Sequence, residues 1–131
     1  MSMFHYYDFK DSEVFIFDNF LVNQIKEGVT VIPAHNDKLR KVLDDHFANK
    51  KIVYISNRHF NYAVDPLTYL ETSKIHNLVA MAIVANTEMA KSNAKLESMF
   101  YKKKFEIFDT LSEAMGWVQK QLAESEATHG N

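Results

Sequence analysis

The spacing of apolar residues changes near Gly28 and divides the chain into a β-hairpin followed by an alternating α/β region. Residues 13–17 and 20–25 are runs of β-branched and aromatic side chains. Asp18-Asn19 between them tolerates the positive φ angles of a tight hairpin turn. Residues 6–9 are expected to add an edge strand. Because both hairpin strands are apolar on successive residues, the pattern predicts a sheet covered on both faces.

Downstream of Gly28, helical and strand periodicities alternate. The predicted helices cover residues 33–47, 66–73, 88–101 and 111–122, and the strands between them cover 52–55, 78–85 and 105–108. Helix starts are marked by Asp65-Pro66, by Asn86-Thr87 and by the capping box Thr110-Leu111-Ser112-Glu113. The order ββαβαβαβα predicts an α/β fold with a mixed, mostly parallel sheet and helices packed against it.

Length and composition exclude several classes of protein. The 131 residues have a formal net charge of -2, 24% charged residues and no cysteine. They predict one domain over 1–122 with a frayed end at 123–131. The chain has no apolar run of membrane-spanning length, and residues 1–10 lack the features of a signal peptide, so we expect a cytoplasmic protein. The absence of cysteine excludes thiol chemistry, and three scattered glycines do not form a phosphate-binding loop. No cofactor is expected.

Two segments carry a resemblance to a known family. Val79-Ala80-Met81-Ala82-Ile83-Val84 is similar to the central strand of the SpoIIAA-like branch of STAS domains, named after sulphate transporters and anti-sigma-factor antagonists. Residues 105–118, with Glu113-Ala114 and Trp117, resemble the closing strand and helix of that branch. Both are packing patterns, so the resemblance implies a fold and not a mechanism.

The resemblance also implies a phosphorylation switch, in which a serine just before the second helix is modified by a kinase. The corresponding stretch here, residues 62–67, has no hydroxyl at the helix cap. Asp65 would mimic the charge of a phosphoserine, but capping of the helix is the simpler explanation for an Asp before Pro66. Similarity of this branch to lipid carriers of the Sec14 type implies a small apolar ligand.

The candidate site is the loop after the third main strand, because ligands of open α/β sheets bind beyond the carboxyl ends of parallel strands. The predicted site residues are Ser56, Asn57, Arg58, Tyr62, Asp65, Asn86 and Thr87. Arg58 would clamp an anion, and the amides of Asn86-Thr87 would complete the cradle. Two alternatives stay open: the polar loop satisfies its own turns, or Arg58 pairs with Asp65.

Other chemistries have weaker signals. The six histidines show no metal-binding spacing, so no metal site is expected. Ser56, His59 and Asp65 contain the residue types of a catalytic triad, but no nucleophile elbow or oxyanion hole surrounds Ser56. Lys102-Lys103-Lys104 is too short for a nucleic-acid surface in a mildly acidic chain.

Two functions therefore compete. The first is a non-enzymatic regulatory or protein-interaction module that binds a small anionic ligand. The second is a carrier of a small lipophilic ligand, held in a pocket between the sheet and the helices. Aromatic residues make up 13% of the chain and are concentrated in the N-terminal strands, where they line a pocket, form a homodimer interface or fill the core.

Overall fold

The computed structural model describes residues 5–58 and 62–129. In chain order the elements are β1 (His5–Asp8), β2 (Ser12–Ile16), β3 (Phe20–Ile25), β4 (Thr30–Val31), α1 (His35–Phe47), β5 (Ile52–Asn57), β6 (Ala63–Val64), α2 (Leu67–Thr72), β7 (Leu78–Val84), α3 (Glu88–Ser98), β8 (Lys104–Phe108) and α4 (Leu111–His129). Every strand and helix predicted from the sequence is present, including the edge strand.

Six strands form the main sheet in the order β1-β2-β3-β5-β7-β8. The first three are antiparallel, with Ile16 opposite Leu21 across the predicted hairpin. The pairs β3-β5, β5-β7 and β7-β8 are parallel. The predicted fold class is therefore confirmed, and the carboxyl ends of the parallel strands lie along one edge of the sheet.

A second, two-stranded sheet was not predicted. β4 and β6 pair in parallel, with Thr30 opposite Ala63 and Val31 opposite Val64. Gly28, at a φ of 77°, provides the turn between β3 and β4. Strands of two residues leave too short a pattern for sequence analysis, yet this pair joins the segment after β5 to the segment that precedes α1.

Opposite faces of the main sheet pack against different helices. One face packs against α4, with Val53 and Ile55 of β5 in one cluster with Ala114 and Val118. The other face packs against α1, α2 and α3, where Leu21 joins the α1 cluster and Met81 the cluster of α2 and α3. Since successive strand residues point to opposite faces, each central strand contributes to both layers.

Side chains predicted to cap the helices do so. The Thr87 hydroxyl accepts the N–H of Ala90 at 3.1 Å, and Thr110 and Glu113 form the reciprocal capping box. The Asp65 carboxylate accepts the N–H of Leu67 at 3.1 Å at the start of α2.

Helix α4 continues beyond Leu122 to His129, into the stretch expected to be frayed. Residues 123–129 contain neither Gly nor Pro, so no strong helix breaker precedes Gly130. Among the helices of residues 5–58 and 62–129, none has both the length and the apolar character needed to cross a membrane.

Candidate functional site

A cavity of about 80 Å³ lies between the sheet and helices α1 and α2. It sits under the carboxyl-terminal halves of β3 and β5, which is where ligands of open α/β sheets bind. Much of its lining is apolar, contributed by Val14, Ile25, Leu39, Val42, Val64 and Met81. The cavity therefore offers an apolar interior close to the predicted site.

Polar groups of the main sheet, together with Tyr62 just before β6, form one side of this cavity. Ser56 and Tyr62, two of the predicted site residues, line it with their hydroxyl oxygens 3.0 Å apart. Asn23 also lines it and donates its Nδ2–H to the Tyr54 hydroxyl at 2.7 Å. The Asn23 Oδ1 is buried and has no hydrogen-bond partner. Whichever way the amide is turned, only one of its two polar atoms is bonded.

Polar groups of the helices form the opposite side and satisfy one another. Thr72 donates its hydroxyl to Asn36 Oδ1 at 2.7 Å, and Asn36 Nδ2 donates to the carbonyl of Thr68 at 3.1 Å. All three residues are buried. Because these hydrogen bonds join the two helices, the three residues hold α1 against α2.

Arg58 is the centre of a buried ion pair next to the cavity. Its guanidinium donates through both Nη atoms to the Glu97 carboxylate of α3, with Nη1 to Oε2 at 3.0 Å. Nη2 also contacts the Tyr69 hydroxyl at 3.1 Å, and that hydroxyl donates to Glu97 at 2.5 Å. The side chains of Arg58 and Glu97 are 7% and 9% exposed. In this arrangement Arg58 neutralises Glu97, not Asp65, and its charge is already balanced.

The surroundings of this ion pair shift several pKa values. Burial lowers the pKa of Arg58, but the hydrogen bonds to Glu97 and nearby charges outweigh it, so the net shift is upward. Burial raises the pKa of Tyr62 and raises that of Tyr69 well above its ordinary value. Burial also raises the pKa of Tyr54. These tyrosines therefore act as neutral hydrogen-bonding groups at neutral pH.

The remaining predicted site residues are dispersed. Asn57 donates its Nδ2–H to Gln24 Oε1 at 3.2 Å. Asp65 and Thr87 bond to backbone N–H groups at helix starts, and Asn86 is exposed. The structure thus brings together Ser56 and Tyr62 at the cavity and Arg58 beside them. The others hold loops and helix ends.

Sequence analysis missed four further side chains of the cavity lining. Asp11, after β1, accepts a hydrogen bond from His35 Nε2 of α1 at 3.1 Å, while His35 Nδ1 accepts the N–H of Ile32 at 2.9 Å. Nearby, the ammonium of Lys38 lies 4.6 Å from the centre of the Phe9 ring. All four side chains line the cavity. They come from two segments far apart in the chain, the turn between β1 and β2 and helix α1, so no local motif predicts their meeting.

The sequence has weaker signals for a catalytic triad and for a metal site, and the described residues concerned do not come together in the structure. Ser56 bonds to Tyr62, and Asp65 bonds to the backbone of α2, so these two members of the triad do not meet. His59 lies outside the described residues. Within residues 5–58 and 62–129, no three His, Cys, Asp or Glu side chains converge to hold a metal ion. His46, instead, lies 2.7 Å from the Tyr7 hydroxyl.

A larger groove, of about 390 Å³, is open to solvent at the opposite end of the sheet. Its lining includes His76, Lys103 and Lys104. The Lys103 ammonium donates to the carbonyls of Ile75 and Leu78 at 2.6 Å each, and burial lowers its pKa. The Lys103 ammonium in this groove is therefore already engaged by the backbone.

Comparisons with known proteins identify the fold. Neither protein-family models nor curated protein sequences give a match to this chain. The structure is similar to a crystal structure of an uncharacterized protein of the DUF3478 family from Shewanella loihica PV-4, described as having a SpoIIAA-like fold. The similarity covers 87% of this chain and 90% of that chain, with a TM-score of 0.52 and 12% sequence identity. The resemblance predicted from the sequence is confirmed for the architecture: the chain has a SpoIIAA-like fold.

Proposed function

We propose that this protein is a non-enzymatic binding module of the SpoIIAA-like, STAS type that takes a small ligand in the cavity between the sheet and helices α1 and α2. The observation that carries the proposal is the cavity itself, where Ser56 and Tyr62 adjoin an apolar interior. Small-molecule sites typically combine apolar walls with a few fixed polar groups, and this cavity has that composition.

The volume limits the size of the ligand. Drug-sized ligands occupy pockets of roughly 300–1,000 Å³, and this cavity of about 80 Å³ is far smaller. A carrier of a long lipid would therefore need α1 and α2 to move away from the sheet. The dimensions favour a compact ligand over the lipophilic carrier.

The proposed ligand site differs from the anion cradle predicted from the sequence. Ser56 and Tyr62 keep their proposed role as ligand contacts. Arg58 is proposed to position Tyr62, because its guanidinium lies 5.3 Å from the centre of the Tyr62 ring and is held in place by Glu97. The regulatory role, the homodimer, a protein partner and the cytoplasmic location stay predictions.

A matched pair of cavity variants tests the proposal. Val64→Phe fills the cavity, whereas Val79→Phe introduces the same change at a half-buried valine on the α4 side of the sheet. Backbone amide shifts are followed by NMR during titration with 1-butanol. In the wild type and in Val79→Phe we expect saturable shifts at residues of β3, β5 and α1, and in Val64→Phe their loss. Saturation that persists unchanged in folded Val64→Phe, or shifts absent from the wild type, would overturn the proposal.

A further inference from the structure

Strand β8 lies at one edge of the main sheet and carries backbone groups that face away from it. It pairs with β7 on one side, and no strand of the described residues pairs with its other side. The Phe108 carbonyl accepts the N–H of Ala85, so Phe108 directs its backbone toward β7. Because successive residues of a strand direct their N–H and C=O groups to opposite sides, Phe105 and Ile107 direct theirs outward.

This edge is regular enough to accept a further strand. Residues 104–108 contain neither Pro nor Gly, and their pairing with β7 shows no shift of register. Proteins usually block such an edge with a proline, a bulge or charges that repel a second strand. The outward N–H and C=O groups of Phe105 and Ile107 are therefore a template for pairing, provided that the charges of β8 allow it.

The charges of β8 favour pairing with an antiparallel copy of the same strand. Lys104 and Glu106 are both exposed and, being two residues apart, lie on the same face of the sheet. None of the ion pairs found within residues 5–58 and 62–129 involves either side chain. In an antiparallel pair with Phe105 opposite Phe105, Lys104 of each copy lies opposite Glu106 of the other.

From these features we infer that two copies of this chain form a symmetric dimer by antiparallel pairing of their β8 strands, with Phe105 at the two-fold axis. The outward backbone groups of Phe105 then bond to those of its own copy, and two Lys104–Glu106 pairs form. The two half-buried Phe105 rings come together across the strands, where aromatic pairs are stabilising. A register centred on Glu106 would instead set two carboxylates opposite each other.

The dimer is independent of the proposed ligand site, because no residue of β8 lines the cavity. It joins two six-stranded sheets into one continuous sheet. The contact is short, since β8 has five residues. Small interfaces of this kind give weak, reversible association.

Sedimentation equilibrium of the full chain from about 10 to 1,000 µM tests the inference, since weak dimers dissociate within this range. We expect the average mass of the wild type to rise from 15.2 kDa toward twice that value. Lys104→Glu and Glu106→Lys each set like charges opposite one another in both symmetry-related pairs. Each variant should weaken association about tenfold or more.

Lys41→Glu is the matched control. It changes the net charge by the same amount as Lys104→Glu, but at an exposed position of α1. We expect this variant to associate like the wild type, since the position does not belong to β8.

An equimolar mixture of Lys104→Glu and Glu106→Lys tests the register itself. The acidic edge of the first variant faces the basic edge of the second, so a one-to-one dimer should form at least as tightly as that of the wild type. A wild type that stays monomeric at about 1,000 µM, or a dimer that both variants leave intact, would overturn the inference. So would a mixture that associates no more than either variant alone.

Discussion

The two faces of the main sheet are made by the same strands but have opposite chemistry. On β5, Val53 and Ile55 face α4 and are fully buried in an apolar cluster. Tyr54 and Ser56, the alternate residues, line the cavity on the side of α1 and α2. One face is a close-packed hydrocarbon layer, and the other combines apolar packing with buried hydroxyl, amide and charged groups.

The two faces of the sheet also differ in their buried polar atoms that lack a hydrogen-bond partner. Among the described residues, the buried side-chain atoms without a hydrogen-bond partner are Asn23 Oδ1, Arg58 Nε and Tyr101 Oη. All three belong to the layer of α1, α2 and α3: Asn23 bonds Tyr54, Arg58 bonds Glu97 of α3, and Tyr101 packs in the cluster of Met81. An unpaired buried polar atom costs about 1–3 kcal/mol. The face that packs against α1, α2 and α3 therefore contains groups that weaken the fold, alongside the apolar clusters that stabilise it.

The largest expected effect of this asymmetry is unfolding at alkaline pH. Burial raises the pKa of Tyr54, Tyr62, Tyr69 and Tyr101, all on the side of α1–α3. The pKa of each of these tyrosines is higher in the folded protein than the value of about 10 in the unfolded chain. Their contribution to the free energy of unfolding is therefore complete below about pH 10. It is lost as the pH rises through the folded values.

We therefore expect the tyrosinate absorbance of these residues to appear together with the loss of circular dichroism, in one transition above about pH 10. Exposed Tyr6, whose pKa is raised to about 12 chiefly by its hydrogen bond to Glu13, contributes in the same range. Replacement of Tyr6 by Phe removes that signal without moving the transition. Ionisation of the buried tyrosines well before unfolding would contradict the buried arrangement of this face.

A smaller but still large effect is expected from breaking the Arg58–Glu97 ion pair. Glu97→Gln keeps the shape of the side chain but leaves the Arg58 charge buried without compensation. Loss of one partner of a buried pair destabilises by about 3–5 kcal/mol. The free energy of unfolding, measured with urea, should fall by about this amount.

Glu71→Gln is the matched control, because Glu71 pairs with Lys74 at 3.0 Å on the surface. Exposed pairs of this kind contribute at most about 1 kcal/mol. If the two substitutions cost the same, the ion pair at Arg58 would have to be accessible to water.

The same contrast explains what the sequence predicts and what it does not. Strands, helices and caps depend on local patterns, so the capping residues Thr87 and Thr110 and the apolar strand of residues 78–84 are recognisable in advance. The apolar face against α4 follows from the same patterns. Both features need only residues that are close together in the chain.

The polar face depends instead on long-range partners. Arg58 is 39 residues from Glu97, and Asp11 is 24 residues from His35. Periodicity could place Glu97 on a helix, but nothing local indicates that it neutralises Arg58. Local patterns therefore mark the loop after β5, whose Ser56 and Tyr62 line the cavity, but they do not indicate the contacts that Arg58 and Asp11 make. A ligand-binding role for Ser56 and Tyr62 stays a prediction.

The smallest expected effect concerns the hydrogen bond between Asn23 and Tyr54. Tyr54→Phe alone removes the partner of Asn23 Nδ2, so both polar atoms of that amide become unpaired, and stability should fall by about 1–3 kcal/mol. Combining it with Asn23→Leu replaces both groups by apolar ones of similar shape and also removes the unsatisfied Oδ1. The double variant should therefore be within about 0.5 kcal/mol of the wild type, or more stable. Urea unfolding of the wild type, both single variants and the double variant measures the coupling. A double variant as unstable as the sum of the single ones would mean that Asn23 has a partner besides Tyr54, and that the two faces of the sheet differ less than the hydrogen bonds indicate.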